Sequence, residues 1–349
     1  MAITSSHVLI CRTDNIGDVV LTLPITARLK QLDPSIKISF LCRAYAASVV
    51  RHCRSVDEVV ELESFLPSPA DYFAKSGVDT VIFAQPDRHL AFEAFKARVP
   101  NRIGNARHKL YQLFYCNRRV RFKKGTSEYH EAQHNFEFLR PFGIDTIPEL
   151  AAIPALYDFD IPQIQKVKQL FQQHPFNLII HTKSNGHGRE WPIDHYTTLA
   201  KLLSKDQNIQ LWLTGSPAEG QWLAENAAEL LQQPNVSNVC GKFTLDELTS
   251  FIQSADGLIA SGTGPLHISA ALGQRTLGLF PPTRPMHPGR WAPLGKRAQT
   301  LCLSTSCVGC KDSKAASCDC MRNLAPGSVE EIVLQWLAEA QGANAQINA

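Results

Sequence analysis

Gly257-Leu-Ile-Ala-Ser-Gly-Thr-Gly-Pro-Leu-His-Ile-Ser-Ala-Ala-Leu-Gly273 is the stretch that decides the fold. The apolar run at 257–260 reads as a buried strand, Ser261-Gly262-Thr263-Gly264 breaks it, and Pro265 opens an apolar helix that Gly273 closes. Proline just inside a helix and glycine just past its end is the expected asymmetry. The two glycines let the backbone come close to a ligand. The helix start aims free N–H groups and the positive end of its dipole at whatever sits there. Such a turn suits a phosphate. It equally suits a plain strand–helix connection in which the glycines serve only tightness. Gly262-x-Gly264-x-x-His267 nearly reproduces the dinucleotide pattern, but a histidine stands where the third glycine belongs, and the stretch lies far from the first βαβ unit.

Working outward, the first half alternates in the same way. Residues 8–11 predict a short buried strand, and Arg12-Thr-Asp-Asn-Ile-Gly-Asp18 follows as a polar loop. Asp18 is expected to cap a helix carrying Val19, Val20, Leu23 and Ala27, with a kink at Pro24. Further strands are expected over 36–42, 56–62 and 78–84, and a helix over 44–53. Strands alternating with helices mean a parallel sheet covered on both faces, with ligands at the carboxyl ends of the strands. Asp14 and Asp18 are the acids at such an end. Asp18 reads either as a helix cap or as a general base.

Residues 96–124 hold ten Lys and Arg and no Asp or Glu, in a chain of net charge +3, so the remainder is net acidic. Tyr111, Phe114, Tyr115 and Phe122 are interleaved with these cations. Scattered charge usually marks a solvated face. Complete absence of acids over this length points instead to a polyanionic partner: nucleic acid, lipid headgroups or a phosphorylated sugar. The modest charge of the whole chain argues against nucleic acid. Residues 128–142 predict a helix with His130 and His134 one turn apart, a helix-face pair rather than a metal site, since no third ligand follows.

The second half restarts the alternation, with strands expected over 177–181, 209–214, 236–239 and 276–280 and helices over 164–173, 193–204 and 245–254. Arg189 follows a strand and a glycine-containing loop, within reach of the 262–264 turn or simply on the surface. Glu219 follows another strand and suits either a ribose hydroxyl or the first turn of a helix. His267 fits a capping or core histidine as well as a ligand contact. At 349 residues with 44% hydrophobic and 19% charged residues, the chain has the length of two soluble domains. No apolar run approaches the roughly 18 residues of a membrane span, and the first residues lack the pattern of a signal peptide, so the expected location is cytoplasmic. Ten cysteines are many for that compartment. Cys307-x-x-Cys310 with Cys318-x-Cys320 gives four thiols of structural-zinc type, the second pair one residue short of the usual knuckle. Free thiols or labile disulfides are the alternatives.

With these residues assembled, the chain resembles the bacterial heptosyltransferases of lipopolysaccharide synthesis, glycosyltransferase family 9. The resemblance rests on Arg12-Thr-Asp-Asn-Ile-Gly-Asp-Val-Val-Leu-Thr-Leu-Pro24, on Arg189-Glu-Trp-Pro192, and on Thr263-Gly-Pro-Leu-His-Ile-Ser-Ala-Ala-Leu-Gly273 followed by Phe280-Pro-Pro-Thr283. It implies an α/β chain of GT-B fold, two Rossmann-like doubly wound domains facing a cleft. The organisation expected is an acceptor-binding domain over 1–155, a nucleotide-sugar domain over 156–327, a helix over 328–341 and a disordered tail over 342–349. The resemblance further implies a metal-independent, inverting transfer of heptose from an ADP-sugar to the anionic lipopolysaccharide core. That acceptor would bring the protein to the inner face of the inner membrane as a peripheral contact. By position Asp18 matches the base, Arg189 the diphosphate contact, Thr263, Gly264 and His267 the donor-phosphate motif, and Glu219 a ribose contact. Arg118, Arg119 and Arg121 are the acceptor candidates of the basic segment. Two departures stand out: Gly262 where the family usually has Asp, and Arg189 where it has Lys. They leave room for another nucleotide sugar, or for a non-catalytic member that binds anionic glycolipid. An oxidoreductase or epimerase on twin Rossmann domains is the rival from another class.

Overall fold

The computed structural model describes residues 2–347 apart from 108, 126, 173, 185, 187 and 312–317. The chain divides into two compact units, Met1–Asp160 and Ile161–Ala349. In the first, β1 (His7–Cys11), β2 (Lys37–Cys42), β3 (Glu58–Glu61), β4 (Thr80–Phe83), β5 (Asn101–Asn105) and β6 (Arg118–Val120) form one sheet in the order β3-β2-β1-β4-β5-β6. Every pairing in it is parallel. His7-Val-Leu-Ile-Cys11 is apolar nearly throughout and buried throughout, as a strand covered on both faces must be.

The second unit repeats the plan. Its strands are β7 (Phe176–His181), β8 (Ile209–Thr214), β9 (Val236–Asn238), β10 (Gly257–Ser261), β11 (Thr276–Phe280) and β12 (Ala298–Cys302), ordered β12-β11-β10-β7-β8-β9 and all parallel. Counted from β7, that is the same order as in the first unit. Strand order therefore reverses between β1 and β4 and again between β7 and β10. Crevices for ligands open at such reversals, beyond the carboxyl ends of the strands.

The C-terminal helix Pro326–Ile347 closes the second core with Val329, Val333, Trp336 and Leu337. Gly257 is required there: a Cβ at that position would lie 2.8 Å from Trp336 Cζ3. The helix is described through Ile347, so residues 342–347 continue it instead of forming the expected tail; 348 and 349 lie outside the described residues. The turn of helix at Leu150–Leu156 packs on the helix Pro24–Leu32, and Cys53 bridges Phe159, so the Pro-rich stretch up to Asp160 is part of the first unit.

Three local expectations change. Asn15, not Asp18, caps the short helix Ile16–Val20, which places Asp18 inside its first turn. Pro24 does not kink that helix; it begins a separate one, Pro24–Leu32, because a residue without an N–H fits a first turn better than an interior. The expected helix at 128–142 is a shorter one, Glu131–Phe136, followed by a 3-10 segment, Glu137–Phe142, that contains Pro141. The strands β5, β6 and β12 escape sequence reading. β5 and β6 carry polar residues and β12 sits at a sheet edge with only a partly apolar sequence, Ala-Gln-Thr-Leu-Cys.

Candidate active site

Residues after β1 turn back over the end of the first sheet at its order reversal. Arg43 Nε donates to the Thr13 carbonyl at 2.8 Å, and Tyr45 Oη donates to the Asp14 carbonyl at 2.8 Å, which pins the loop. Arg12 is only 1% exposed. Its guanidinium donates to Asp14 Oδ1 at 2.7 Å, to Asp18 Oδ1, and to Glu131 Oε1 at 3.3 Å. Its other nitrogen reaches Asn135 Oδ1 at 3.4 Å. Glu131 in turn takes Lys124 Nζ at 2.5 Å. Asn135 donates to the Leu21 carbonyl at 2.9 Å and to Thr22 Oγ1 at 3.1 Å, tying Glu131–Phe136 to the chain that follows Asp18.

This cluster holds three carboxylates and two cations, one negative charge in excess, at nearly complete burial. Burial, the stronger influence, pushes the Asp18 carboxyl up to about 6; Arg12 pulls it down, and Asp14 and Glu131 push it up further. Burial works against the Arg12 cation, but Asp18, Asp14 and Glu131 together hold it more firmly protonated than a free arginine. Asp18 keeps 14% of its side chain open, against 2% for Arg12 and 1% for Glu131. It is therefore a carboxylate titrating close to neutrality, oriented by a fixed guanidinium and reachable from outside. Those are the properties of a general base. Arg12, Lys124, Glu131 and Asn135 were not singled out by sequence reading. Arg12 lies in the quoted motif, and its burial was the missing signal.

His130 and His134, the helix-face pair, both lie inside. His130 caps the helix Glu131–Phe136, its Nδ1 accepting from Ala132 N at 3.1 Å, and His134 stacks on Phe122 with ring centres 5.4 Å apart. Arg118, Arg119 and Arg121 are exposed on and beside the edge strand β6. Arg118 Nε donates to Asn101 Oδ1 at 3.1 Å. Leu110 and Phe114, 79% and 75% exposed, lie in the same basic segment.

In the second unit the loop after β7 and the turn after β10 meet at the second reversal, where Ala260 pairs with His181. A Cβ on Gly188 would come 3.4 Å from the Gly262 carbonyl, so the two backbones lie side by side. Ser184 Oγ donates to the Gly188 carbonyl at 2.9 Å. Ser184 N donates to Glu190 Oε1 at 2.9 Å, and Lys183 Nζ to Glu190 Oε2 at 2.6 Å. Lys183 also sits 3.8 Å over the Trp222 ring. Arg189 is only 1% exposed, which removes the reading of a surface arginine. Thr263 caps the helix Gly264–Ala271 through its backbone, without a side-chain bond, and Pro265 occupies the first turn as expected. Gly273 takes φ +75° at the helix end. The Thr263 and Thr182 hydroxyl oxygens are buried with no hydrogen-bond partner among the described residues. A buried hydroxyl without a partner costs about 1–3 kcal/mol, and these two lie on the segments that follow β7 and β10. His267 is buried under the Thr263 turn. Glu219 forms the capping box of the helix Pro217–Asn226, one carboxylate oxygen accepting from Ser216 N at 2.7 Å. Burial lowers the pKa of His181, against the pull of Glu219.

The sequence model of glycosyltransferase family 9 (heptosyltransferase) matches residues 75–319, well over half of the chain. The chain belongs to glycosyltransferase family 9. A putative glycosyltransferase of Haemophilus influenzae is 27% identical over 301 residues, covering 82% of this chain and 86% of that protein. Lipopolysaccharide heptosyltransferase 1 of Escherichia coli is 24% identical over 80% of this chain and 89% of its own length. The structure of the Escherichia coli ADP-heptose lipopolysaccharide heptosyltransferase II superposes with a TM-score of 0.77 at 18% identity, over 96% of this chain and 99% of that one. The fold is accordingly GT-B, and the protein is a glycosyltransferase. No helix among the described residues is long and apolar enough to cross a membrane.

Gly262 stands where the family usually has an acid before Thr-Gly. A Cβ on Gly262 would stand 3.0 Å from Phe280 Cε1, so a side chain there would need the ring of Phe280 to give way by a few tenths of an ångström. The four cysteines also come together: the Cys307, Cys310, Cys318 and Cys320 sulfurs all lie within 4.8 Å of one another.

Proposed function

We propose that this protein is an inverting transferase that moves heptose from an ADP-activated donor to the lipopolysaccharide inner core. The observation that carries the reading is the Arg12–Asp18 cluster, a reachable carboxyl brought to about 6 by burial and fixed in direction by a buried guanidinium. The family and the heptosyltransferase relatives support the sugar class and the nucleotide.

In this mechanism Asp18 accepts the proton of the acceptor hydroxyl as its oxygen attacks the anomeric carbon. The bond from that carbon to the diphosphate oxygen breaks, and the leaving ADP takes the electron pair. The group that stabilises this charge is the turn of the second unit: Arg189, the Thr263 hydroxyl and the free N–H groups at Gly264, with His267 beneath. Preorganised donors and a fixed cation act best on charge that develops only as the bond breaks. Glu219 has one oxygen engaged with its own helix, so its remaining oxygen is the one offered to a ribose hydroxyl. On the first unit Arg118, Arg119 and Arg121 meet the phosphates of the acceptor, and Leu110 and Phe114 enter the lipid interface that carries it, a peripheral contact on the inner face of the inner membrane.

One observation favours a second reading. With Gly262 in place of the usual acid and the Phe280 ring close to it, the donor sugar differs from heptose, or the protein binds anionic glycolipid without turnover. Thermal shift across ADP-, UDP- and GDP-sugars, followed by transfer to lipopolysaccharide core acceptors, separates these readings, because a ligand that binds only the folded state raises its stability. ADP-heptose should give the largest shift and should release ADP only when acceptor is present. A larger shift with another nucleotide sugar moves the assignment to that donor, and binding without release supports the non-catalytic reading.

A further inference from the structure

The cysteines near the end of the second unit are not used by the transfer chemistry. Cys307 and Cys310 flank and enter the 3-10 turn Val308–Lys311, and Cys318 and Cys320 begin the helix Asp319–Arg322. Cys310 Sγ lies 3.5 Å from Cys307 Sγ, 3.7 Å from Cys318 Sγ and 3.3 Å from Cys320 Sγ. All ten cysteines of the chain are free thiols, so these contacts are not disulfides. Zinc–sulfur bonds of about 2.3 Å in a tetrahedron put the sulfurs roughly 3.8 Å apart along each edge. These three separations lie just below that edge, all four sulfurs lie within 4.8 Å of one another, and the distances exceed by far the roughly 2.05 Å of a sulfur–sulfur bond. Cys307 N also donates to Cys320 Sγ at 3.0 Å, the outer hydrogen bond by which metal thiolates are oriented.

We infer that Cys307, Cys310, Cys318 and Cys320 form a closed tetrathiolate site for one thiophilic divalent ion, zinc or iron, that clamps the end of the second unit onto its core. Four protein sulfurs leave no position for a substrate or water, so the ion is structural. Tetrahedral sulfur ligation selects zinc or iron over the oxygen-loving cations. The clamp has a mechanical consequence. Met321 and Leu324, directly after the last ligand, are buried in the second core. The Leu324 carbonyl accepts from Trp191 Nε1 at 2.9 Å. Trp191 follows Arg189 and Glu190, so the ion fixes the far side of the loop that carries Arg189. The ion's existence does not depend on any role for Arg189; the consequence for nucleotide binding does.

The test begins with the full chain purified without chelator. Elemental analysis should find one zinc or one iron per chain and names which. Replacement by Co2+ should give the intense visible bands of tetrahedral cobalt thiolate. Cys310→Ser and Cys320→Ser should lose these bands, and Cys302→Ser, whose thiol donates to the Leu303 carbonyl at 3.3 Å and lies outside the group of four, should keep them. Should the serine variants fail to fold, wild-type protein stripped with chelator and reloaded with Zn2+ gives the same comparison. Hydrogen exchange should then show protection lost across 303–311 and 318–324 and at Trp191 on stripping, and regained on reloading. Absence of stoichiometric metal together with no cobalt bands, or disulfides among the four cysteines in freshly isolated protein, overturns the site. Metal present with exchange at Trp191 unchanged on stripping overturns the clamp. Weaker ADP binding by the stripped protein, restored by Zn2+, extends the clamp to the nucleotide; equal binding with the other results intact counts against Arg189 and not against the ion.

Discussion

The end of β1 and the end of β10 each flank the order reversal of their sheet, yet they solve opposite problems. Around Asp18 each charge has a partner from within, with one carboxylate in excess: Arg12 is shared among Asp14, Asp18 and Glu131, and Lys124 completes the set. Around Thr263 the protein leaves bonds unmade, with the Thr182 and Thr263 hydroxyls buried and unpartnered among the described residues. A site that pairs nearly all of its own charges can tune a proton but gains little from binding an ion. A site with unmet donors gains chiefly by binding. In the proposed mechanism proton transfer falls to the first unit and grip on the leaving group to the second, and each half can be broken separately.

The largest effect is expected from Asp18→Asn. Loss of a general base costs roughly 10²–10⁴-fold in turnover, and ADP binding should stay as it was. Stability should move the other way. A carboxyl whose pKa rises on folding contributes stability that is fully present below its ordinary value and is lost as pH rises from there through about 6. Above pH 6 the ionised Asp18 is a burden, and Asn removes it. Thermal denaturation at pH 8 should therefore show the variant as stable as wild type or more so, the trade expected where activity requires an unfavourable charge. Wild-type turnover in the variant would reduce Asp18 to a first-turn residue of its helix.

Next comes Arg189→Ala, which breaks the other half. A hydrogen bond to a charged group is worth about 1.5–3 kcal/mol. Calorimetry should show ADP losing that much while adenosine loses little. Equal losses for the two would mean that the buried guanidinium serves packing alone.

How far this division was legible depends on what each region is made of. The strands β1, β2, β7, β8, β10 and β11 announce themselves as apolar runs, and Thr263-Gly-Pro marks its turn by residues that have few other uses. Asp18 was visible through its motif and its place after a strand. Its partner Glu131 was not, because it lies more than a hundred residues away and reads locally as one more helix acid. β5 and β6 were hidden for a related reason: Asn101-Arg-Ile-Gly-Asn105 and Arg118-Arg-Val120 pair as strands through tertiary context, with no alternation of their own. Their arginines dominated the reading as charge. The packing of Phe280 into the space over Gly262 is equally invisible in sequence, since it is a contact between two strand ends.

A finer prediction probes the tuning of the first site. Asp14 raises the Asp18 carboxyl by its charge and also takes part of Arg12. Asp14→Asn removes one repulsion and leaves Arg12 more available to Asp18, so the Asp18 pKa should fall. Activity that depends on ionised Asp18 rises with pH through about 6 in the wild type. In the variant that limb should move to lower pH, with a smaller plateau because the base is weaker. An unmoved limb would show that another group controls it.

The smallest effect concerns the exposed arginines, and it separates partner from solvent. Neutralising Arg118, Arg119 and Arg121 together removes three charges from an edge strand that no described strand covers. Charged residues on such an edge can also serve simply to prevent pairing with another chain. The two roles differ in salt response. A polyanionic acceptor drawn to a focused positive surface gains mainly in encounter rate, and that gain is screened within a Debye length of about 8 Å at physiological ionic strength. The triple Ala variant should raise the apparent acceptor KM at low salt, lose much of the wild-type salt dependence, and keep its affinity for ADP. If the edge is merely protected, KM and its salt dependence stay as in the wild type and light scattering shows association of the variant instead. Adding Phe114→Ser to the triple variant should further reduce binding to vesicles containing anionic lipid while leaving ADP binding alone, because Phe114 is exposed and lies far in sequence from the Thr263 turn. Vesicle binding that survives all four changes would move the acceptor surface elsewhere on the molecule.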